Sequence, residues 1–255
     1  MAHLNPKLTL HFLNHQMEVY WVNTKQFLLV TVFMLLLAGY SKAQSPEAHI
    51  RHGNELFARE KYELAIKEYK QVSSYAVKAY AQSLYNIGVC YYELWRTDEA
   101  IAYYMQAIEA QKGDYARASY ALGIALEDQG KLNEAKAAYK ESIRSSREEY
   151  APATYRLGLL TANEGNFQAA ASLFKRAIAR SGRHVPASHN NLGVMLARMG
   201  LFSEAEGEFS LALRQSDGEL AEASYNLRLC RTIQATVVKS QLAELKLSAM
   251  PLIKR

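Results

Sequence analysis

The stretch SLYNIGVCYYELWRTDEAIAYYMQAIEA, Ser83 to Ala110, decides the fold. Leu84, Ile87, Gly88 and Tyr91 fall on one face of a helix, and Ala100 with Tyr104 fall on one face of a second. Moving outward in steps of 35 residues returns the same landmarks. Gly53, Gly88, Gly123, Gly158 and Gly193 form one column. Ala65, Ala100, Ala135, Ala170 and Ala205 form another, and Tyr69, Tyr104, Tyr139, Phe174 and Phe209 a third. A fixed period of this length is the mark of a chain built from stacked two-helix units, each burying the face of its neighbour. Gly130, Gly165 and Gly200 fall between the two helices of their units, where a left-handed residue ends a helix without strain. Pro46, Pro152 and Pro186 lie at the start of first helices, where a missing N–H costs little.

The predicted architecture is therefore all-α. Five repeats occupy 46–216, in register as units of 35 residues at 46–80, 81–115, 116–150, 151–185 and 186–220. A sixth unit begins with AEASYNLRLC (221–230) but places Arg228, Ser240 and Glu244 at the glycine, alanine and aromatic columns. It cannot pack a second helix, so residues 217–247 are expected to form a C-terminal capping helix, followed by a frayed tail over 248–255. The thin glycine and alanine columns are expected to bring two antiparallel helices close, with the aromatic column filling the gap to the next unit.

Composition excludes several classes. With 49% hydrophobic and 22% charged residues, the 255-residue chain is neither disordered nor fibrous. The net charge of +5, from 30 basic and 25 acidic residues, is interspersed and gives no stripe for nucleic acid. Cys90 and Cys230 hold the same position four units apart, too far for a disulfide and suited to packing. His49 and His52 share a helical face, yet only Glu55 joins them in phase, so no metal site is expected. Acid pairs such as Glu127-Asp128 are adjacent and point in different directions on a helix. Without a nucleophile motif, a phosphate loop or a cofactor motif, the chain reads as a non-enzyme with no cofactor.

The N-terminal region has a separate character. Phe27–Ala38 (FLLVTVFMLLLA) is apolar, follows Lys25 and precedes Ser41-Lys42-Ala43. At ~1.5 Å per residue it is shorter than a bilayer core, so residues 1–43 read as a signal peptide, cleaved before Gln44. A start at Met17 would give the leader an ordinary length, and an uncleaved anchor over 19–40 is the alternative, the only route to a membrane. Either places the body outside the cytoplasm, periplasmic or secreted.

The columns resemble the tetratricopeptide repeat (TPR) family, notably in residues 83–110 and in HNNLGVMLARMGLFSEAEGEFSLAL (189–213), and the likeness runs from about 46 to 240. The resemblance implies an α-solenoid whose first helices line a concave groove that binds a protein or peptide. The column facing that groove would hold Ile50, Tyr85, Tyr120, Tyr155, Asn190 and Tyr225, and the adjacent one Arg51, Asn86, Ala121, Arg156, Asn191 and Asn226. From these, with Arg117, the expected partner-binding set is Tyr85, Asn86, Arg117, Tyr120, Tyr155, Arg156, Asn190, Asn191 and Tyr225. The arginines favour an acidic segment. The same tyrosines are equally suited to pack between neighbouring first helices. A carboxylate clamp known from some relatives is matched by Asn54, Asn86 and Arg117, but Ile50 and Ala121 stand where cations are wanted. Tyr80-Ala81, Tyr115-Ala116 and Tyr150-Ala151 are expected to plug the joints between units. The resemblance to small exported bacterial TPR proteins implies an interaction scaffold of the cell envelope. End-to-end self-assembly, or a groove for glycan or another small ligand, is the competing reading.

Overall fold

A computed structural model describes residues 45–147, 150–181, 185–236 and 244–249. The expected leader, its cleavage point and residues 250–255 lie outside them. The described residues form helices and no strand. Unit 1 pairs α1 (Pro46–Phe57) with α2 (Tyr62–Tyr69), and unit 2 pairs α3 (Val77–Glu93) with α4 (Thr97–Ala110). Unit 3 has α5 (Ala116–Asp128) and α6 (Leu132–Ser145), and unit 4 has α7 (Ala151–Asn163) and α8 (Phe167–Ser181). Unit 5 has α9 (Pro186–Arg198) and α10 (Phe202–Gln215), and α11 (Ala221–Thr236) follows alone. Each helix packs on the next in the chain, and the first helices also touch one another, α1 on α3, α3 on α5 and α9 on α11. The fold is the all-α solenoid of helix pairs that the period predicts.

The helix-to-helix turns repeat one geometry. The N–H of Lys61, Arg96, Lys131, Asn166 and Leu201 each donates to the carbonyl five residues back, at 2.9–3.2 Å. That bond closes the last turn of the first helix and requires the residue before it to be left-handed. Gly130, Gly165 and Gly200 meet the requirement with φ of 72°, 80° and 83°. Units 1 and 2 meet it with Glu60 at 58° and Trp95 at 61°, a conformation that costs a non-glycine residue ~1–2 kcal/mol. Those two turns carry no glycine signal, and only the repeat register points to them.

The aromatic column shares buried clusters with the first helix of the next unit, Tyr69 with Ile87 and Cys90 and Tyr104 with Ala121 and Ala125, and it has a second role that the period does not reveal. Each ring lies on the glycine of its own unit. A Cβ added at Gly53, Gly88, Gly123, Gly158 or Gly193 would come within 2.4–2.9 Å of the ring of Tyr69, Tyr104, Tyr139, Phe174 or Phe209, respectively. The glycine column therefore exists to seat an aromatic ring on bare backbone. All five residues of the alanine column are wholly buried beside it.

The C-terminus departs most from expectation. The expected capping helix is described over Ala221–Thr236, whereas residues 245–249, part of its expected range or of the frayed tail, have no regular structure. Ser248, expected to begin a frayed tail, is 2% exposed, and Leu245 is 5% exposed. Among the described residues, 244–249 lie back on the first-helix face of units 4 to 6.

Candidate functional site

The first-helix face divides into two stretches. On units 2 and 3 its tyrosines are half-buried against their own units. The Tyr85 ring is 5.9 Å from that of Tyr104 and 5.7 Å from that of Tyr115. The Tyr120 ring repeats the pattern, 5.9 Å from Tyr139 and 5.3 Å from Tyr150. The plugging tyrosines Tyr115 and Tyr150 thus buttress the ladder tyrosine of their own unit from its C-terminal end. Burial pushes the phenols of both up to about 12, with Tyr85 adding a smaller push.

The polar residues of this stretch are arranged in pairs. Asn86 Nδ2 donates to Asn54 Oδ1 at 3.2 Å, and that oxygen also accepts from the Tyr69 hydroxyl at 2.7 Å. Two of the three positions that match the carboxylate-clamp pattern thereby satisfy each other. Arg117 is exposed. Arg156 is not the free cation the sequence implies. Its guanidinium is 3.5 Å from Glu127, which also accepts from the Tyr139 hydroxyl at 2.7 Å. Burial works against the arginine's charge, but Tyr139, Glu127 and Tyr120 outweigh it and raise its pKa. The attraction for an acidic segment is correspondingly reduced at Arg156.

On units 4 to 6 the same columns are covered by residues 244–249 (ELKLSA). The carboxamide of Asn226 accepts from the Lys246 N–H at 2.8 Å and donates to the Lys246 carbonyl at 2.7 Å. One unit earlier, Asn191 accepts from the Ser248 N–H at 2.6 Å and donates to the Ser248 carbonyl at 2.9 Å. An amide side chain carries one acceptor beside two donors, so it can engage both polar groups of one residue as a neighbouring strand would. In an extended chain alternate residues turn the same edge outward, so two amides one unit apart read residues two apart.

Tyr155 and Asn190 complete the network. The Tyr155 hydroxyl donates to the Ser248 carbonyl at 2.5 Å and accepts from Asn191 at 2.9 Å. Asn190 Nδ2 reaches the Ser248 hydroxyl at 2.9 Å and the Lys246 carbonyl at 3.0 Å, while its oxygen accepts from Asn226 at 2.8 Å. Tyr155 is 1% exposed and the three asparagines are wholly buried. Their amides would be costly there without the segment's partners. Burial raises the Tyr155 phenol above its ordinary value, with the Asn191 hydrogen bond opposing.

Side chains of the segment split by face. Leu245 and Leu247 join the apolar cluster of units 4 to 6, whereas the Lys246 ammonium lies 4.5 Å above the Tyr225 ring. The Tyr225 hydroxyl donates to Glu244 at 3.3 Å. The structure therefore brings Tyr155, Asn190, Asn191 and Tyr225 together on one segment and leaves Tyr85, Asn86, Arg117 and Tyr120 apart from it. Sequence reasoning placed Asn226 in the right column but not in the binding set. The alternation Leu245-Lys-Leu247-Ser, period two in a chain of period 35, was the available signal for the segment.

Two histidine pairs also recur. His49 Nδ1 is 3.0 Å from Glu68 and His189 Nδ1 is 2.7 Å from Glu208, equivalent positions of units 1 and 5. His52 is 3.4 Å from the same Glu68, so the two N-terminal histidines share one carboxylate. Among the described residues no three metal-ligating side chains cluster, and no helix is long and apolar enough to cross a membrane.

Family models of the tetratricopeptide repeat match residues 81–148, 120–184 and 155–219, together more than half of the chain. No curated protein matches at a significant level. Several solved structures share the fold. The C-terminal part of a TPR repeat-containing protein from Cytophaga hutchinsonii is 20% identical, with a TM-score of 0.58, covering 76% of this chain and 75% of its own. MamA protein is 20% identical with a TM-score of 0.56, covering 81% and 98%. YrrB, described as a TPR protein with an unusual peptide-binding site, is 19% identical with a TM-score of 0.55, covering 78% and 97%.

Proposed function

The chain belongs to the tetratricopeptide-repeat family, and from that premise we infer that it is a non-catalytic interaction scaffold that holds an extended segment of a partner protein on its first-helix face. One observation carries this reading. The face already holds an extended segment through backbone hydrogen bonds from Asn191 and Asn226. A surface that reads backbone edges accepts polypeptide as a class, and the exposed remainder around Tyr85, Asn86, Arg117 and Tyr120 extends it. Large aromatic area with adaptable amide hydrogen bonding is characteristic of recognition surfaces. YrrB, by its description, has a peptide-binding site on a similar fold.

The setting proposed is the bacterial cell envelope. Its support is the sequence alone: Lys25, the apolar run Phe27–Ala38 and Ser41-Lys42-Ala43. The exported chain should begin at Gln44. Intact-mass measurement that finds Phe27–Ala38 retained replaces export of a free protein with anchorage.

A photo-crosslinking amino acid at Tyr120, compared with one at the exposed second-helix position Lys140, tests the face. Tyr120 should yield a crosslinked polypeptide and Lys140 none. Tyr85→Ala with Tyr120→Ala should weaken capture by about tenfold or more, because an aromatic anchor is typically worth ~1–4 kcal/mol. Crosslinking from Lys140 alone would place the partner on the other face. A crosslinked product with the mass of two copies of the chain would favour self-assembly.

A further inference from the structure

We propose that residues 244–249 are a tethered ligand occupying the unit 4 to 6 stretch of the face, and that a partner gains this stretch only with an extended Leu-x-Leu-Ser-like segment that displaces them. The proposal rests on the groove reading above and names what its C-terminal stretch takes.

The arrangement is that of a ligand and not of a core element. Both rungs address main chain: Asn226 takes the N–H and carbonyl of Lys246, and Asn191 those of Ser248. Main-chain bonds of this kind are available to any extended segment, so the site is not committed to this one. Selectivity comes from four side chains. Leu245 and Leu247 enter the apolar cluster, Ser248 Oγ accepts from Asn190 at 2.9 Å, and Lys246 covers Tyr225. A displacing segment therefore needs two aliphatic residues two apart, a small hydroxyl residue after the second, and no acid between the two aliphatic residues, where Lys246 covers the Tyr225 ring. The segment runs from unit 6 toward unit 4, because Asn226 meets residue 246 while Asn191 and Tyr155 meet residue 248.

Tethering is what makes the occupant a gate. Only residues 237–243 separate α11, which carries Asn226, from the bound segment. Eight peptide steps at ~3.3–3.6 Å allow at most about 29 Å, so the segment can never leave the neighbourhood of its site. A free segment must then compete with an intramolecular one, whose effective concentration is on the order of millimolar for a short connection.

The test uses the full chain with Lys246→Pro and Ser248→Pro. Proline lacks an N–H, so both rungs lose their donors while α1 to α11 keep their sequence. The probe is a fluorescent peptide of residues 243–250, AELKLSAM. It should bind the double-proline chain at least about tenfold more tightly than the wild type, since a site occupied nine-tenths of the time costs that factor. Adding Asn191→Ala and Asn226→Ala should remove the gain, and a peptide with proline at the two positions should not bind. Equal affinity for wild type and double-proline chain overturns the proposal, as does binding that survives the asparagine substitutions. Hydrogen exchange on the wild type gives an independent reading. The amides of Lys246 and Ser248 should be protected, and exchange at the unstructured rate overturns the proposal whatever the variants do. Capture at Tyr120 reports separately on the scaffold reading: its loss with an intact peptide response removes that reading but not the tether.

Discussion

Two stretches of one face share a register, yet they present different chemistry. On units 2 and 3, Tyr85 and Tyr120 are half-exposed, buttressed by Tyr115 and Tyr150, and Asn86 is turned onto Asn54. On units 4 to 6, Tyr155, Asn190, Asn191 and Asn226 are buried, and their side-chain hydrogen bonds run to one another or to residues 246 and 248. The lesson is that the repeat dictates where a residue stands, whereas its partners decide what it does. A tyrosine at column position 85 or 120 is a wall, and the same column at 155 is a hydrogen-bond donor to a bound chain.

The scaffold beneath the two stretches is common, which the largest expected effect checks. Gly123→Leu drives a side chain into the Tyr139 ring, where even a Cβ would stand 2.4 Å away, and Gly193→Leu does the same to Phe209 at 2.7 Å. Overpacking of this severity should cost ~3 kcal/mol or more at either site. Gly113→Leu should cost ~1–2 kcal/mol, from its φ of 85° alone, since nothing lies closer than 3.8 Å to an added Cβ. Urea midpoints rank the three. A large loss at Gly123 with none at Gly193 would mean the two stretches do not share one scaffold.

That ranking follows from what was legible in the sequence. The glycine, alanine and aromatic columns repeat at 35 residues, so the helix pairs and their order could be read without coordinates. The partner of each glycine could not be, because period alone does not distinguish the ring of its own unit from that of the next. The turns at Glu60 and Trp95 were illegible for a different reason: side chains that seldom adopt positive φ hold a position that three other units give to glycine. The tail was hidden most completely. Tyr155 and Ser248 are 93 positions apart, and residues 244–249 lie outside the period that carried the reading. Column spacing placed Asn190, Asn191 and Tyr155 on the right face but gave no hint that they were covered.

Intermediate effects separate the stretches. Asn191→Ala leaves the buried N–H and one bond of the carbonyl of Ser248 without their partner, which should cost ~1–3 kcal/mol. Asn86→Ala removes one exposed bond to Asn54 and should cost below about 1 kcal/mol. Tyr155→Phe deletes one donor to Ser248 and should cost ~1 kcal/mol, against a few tenths at most for Tyr120→Phe. Equal losses at Asn86 and Asn191 in urea melts would erase the distinction between open and occupied stretches.

The smallest effect concerns alkaline pH and resolves the stretches by their phenols. Tyr115 and Tyr150 are pushed up to about 12 by burial, above the ordinary tyrosine value near 10 that the unfolded chain restores. A group whose pKa is higher in the folded state holds its proton more tightly there. Its contribution is fully present below pH ~10 and is lost as pH rises through about 12. Urea midpoints should therefore be flat up to about pH 10 and fall beyond it, and Tyr115→Phe with Tyr150→Phe should flatten that fall. Tyr155 is raised too, by burial at the place where its hydroxyl donates to the Ser248 carbonyl. Lys246→Pro with Ser248→Pro should thus move one phenol back toward its ordinary value in an absorbance-monitored titration while leaving Tyr115 and Tyr150 where they are. If the tail variant shifts no phenol, Tyr155 is buried by the repeat itself and the two stretches differ in sequence only. If it shifts all three, residues 244–249 brace the whole solenoid, and the division drawn between its stretches is lost.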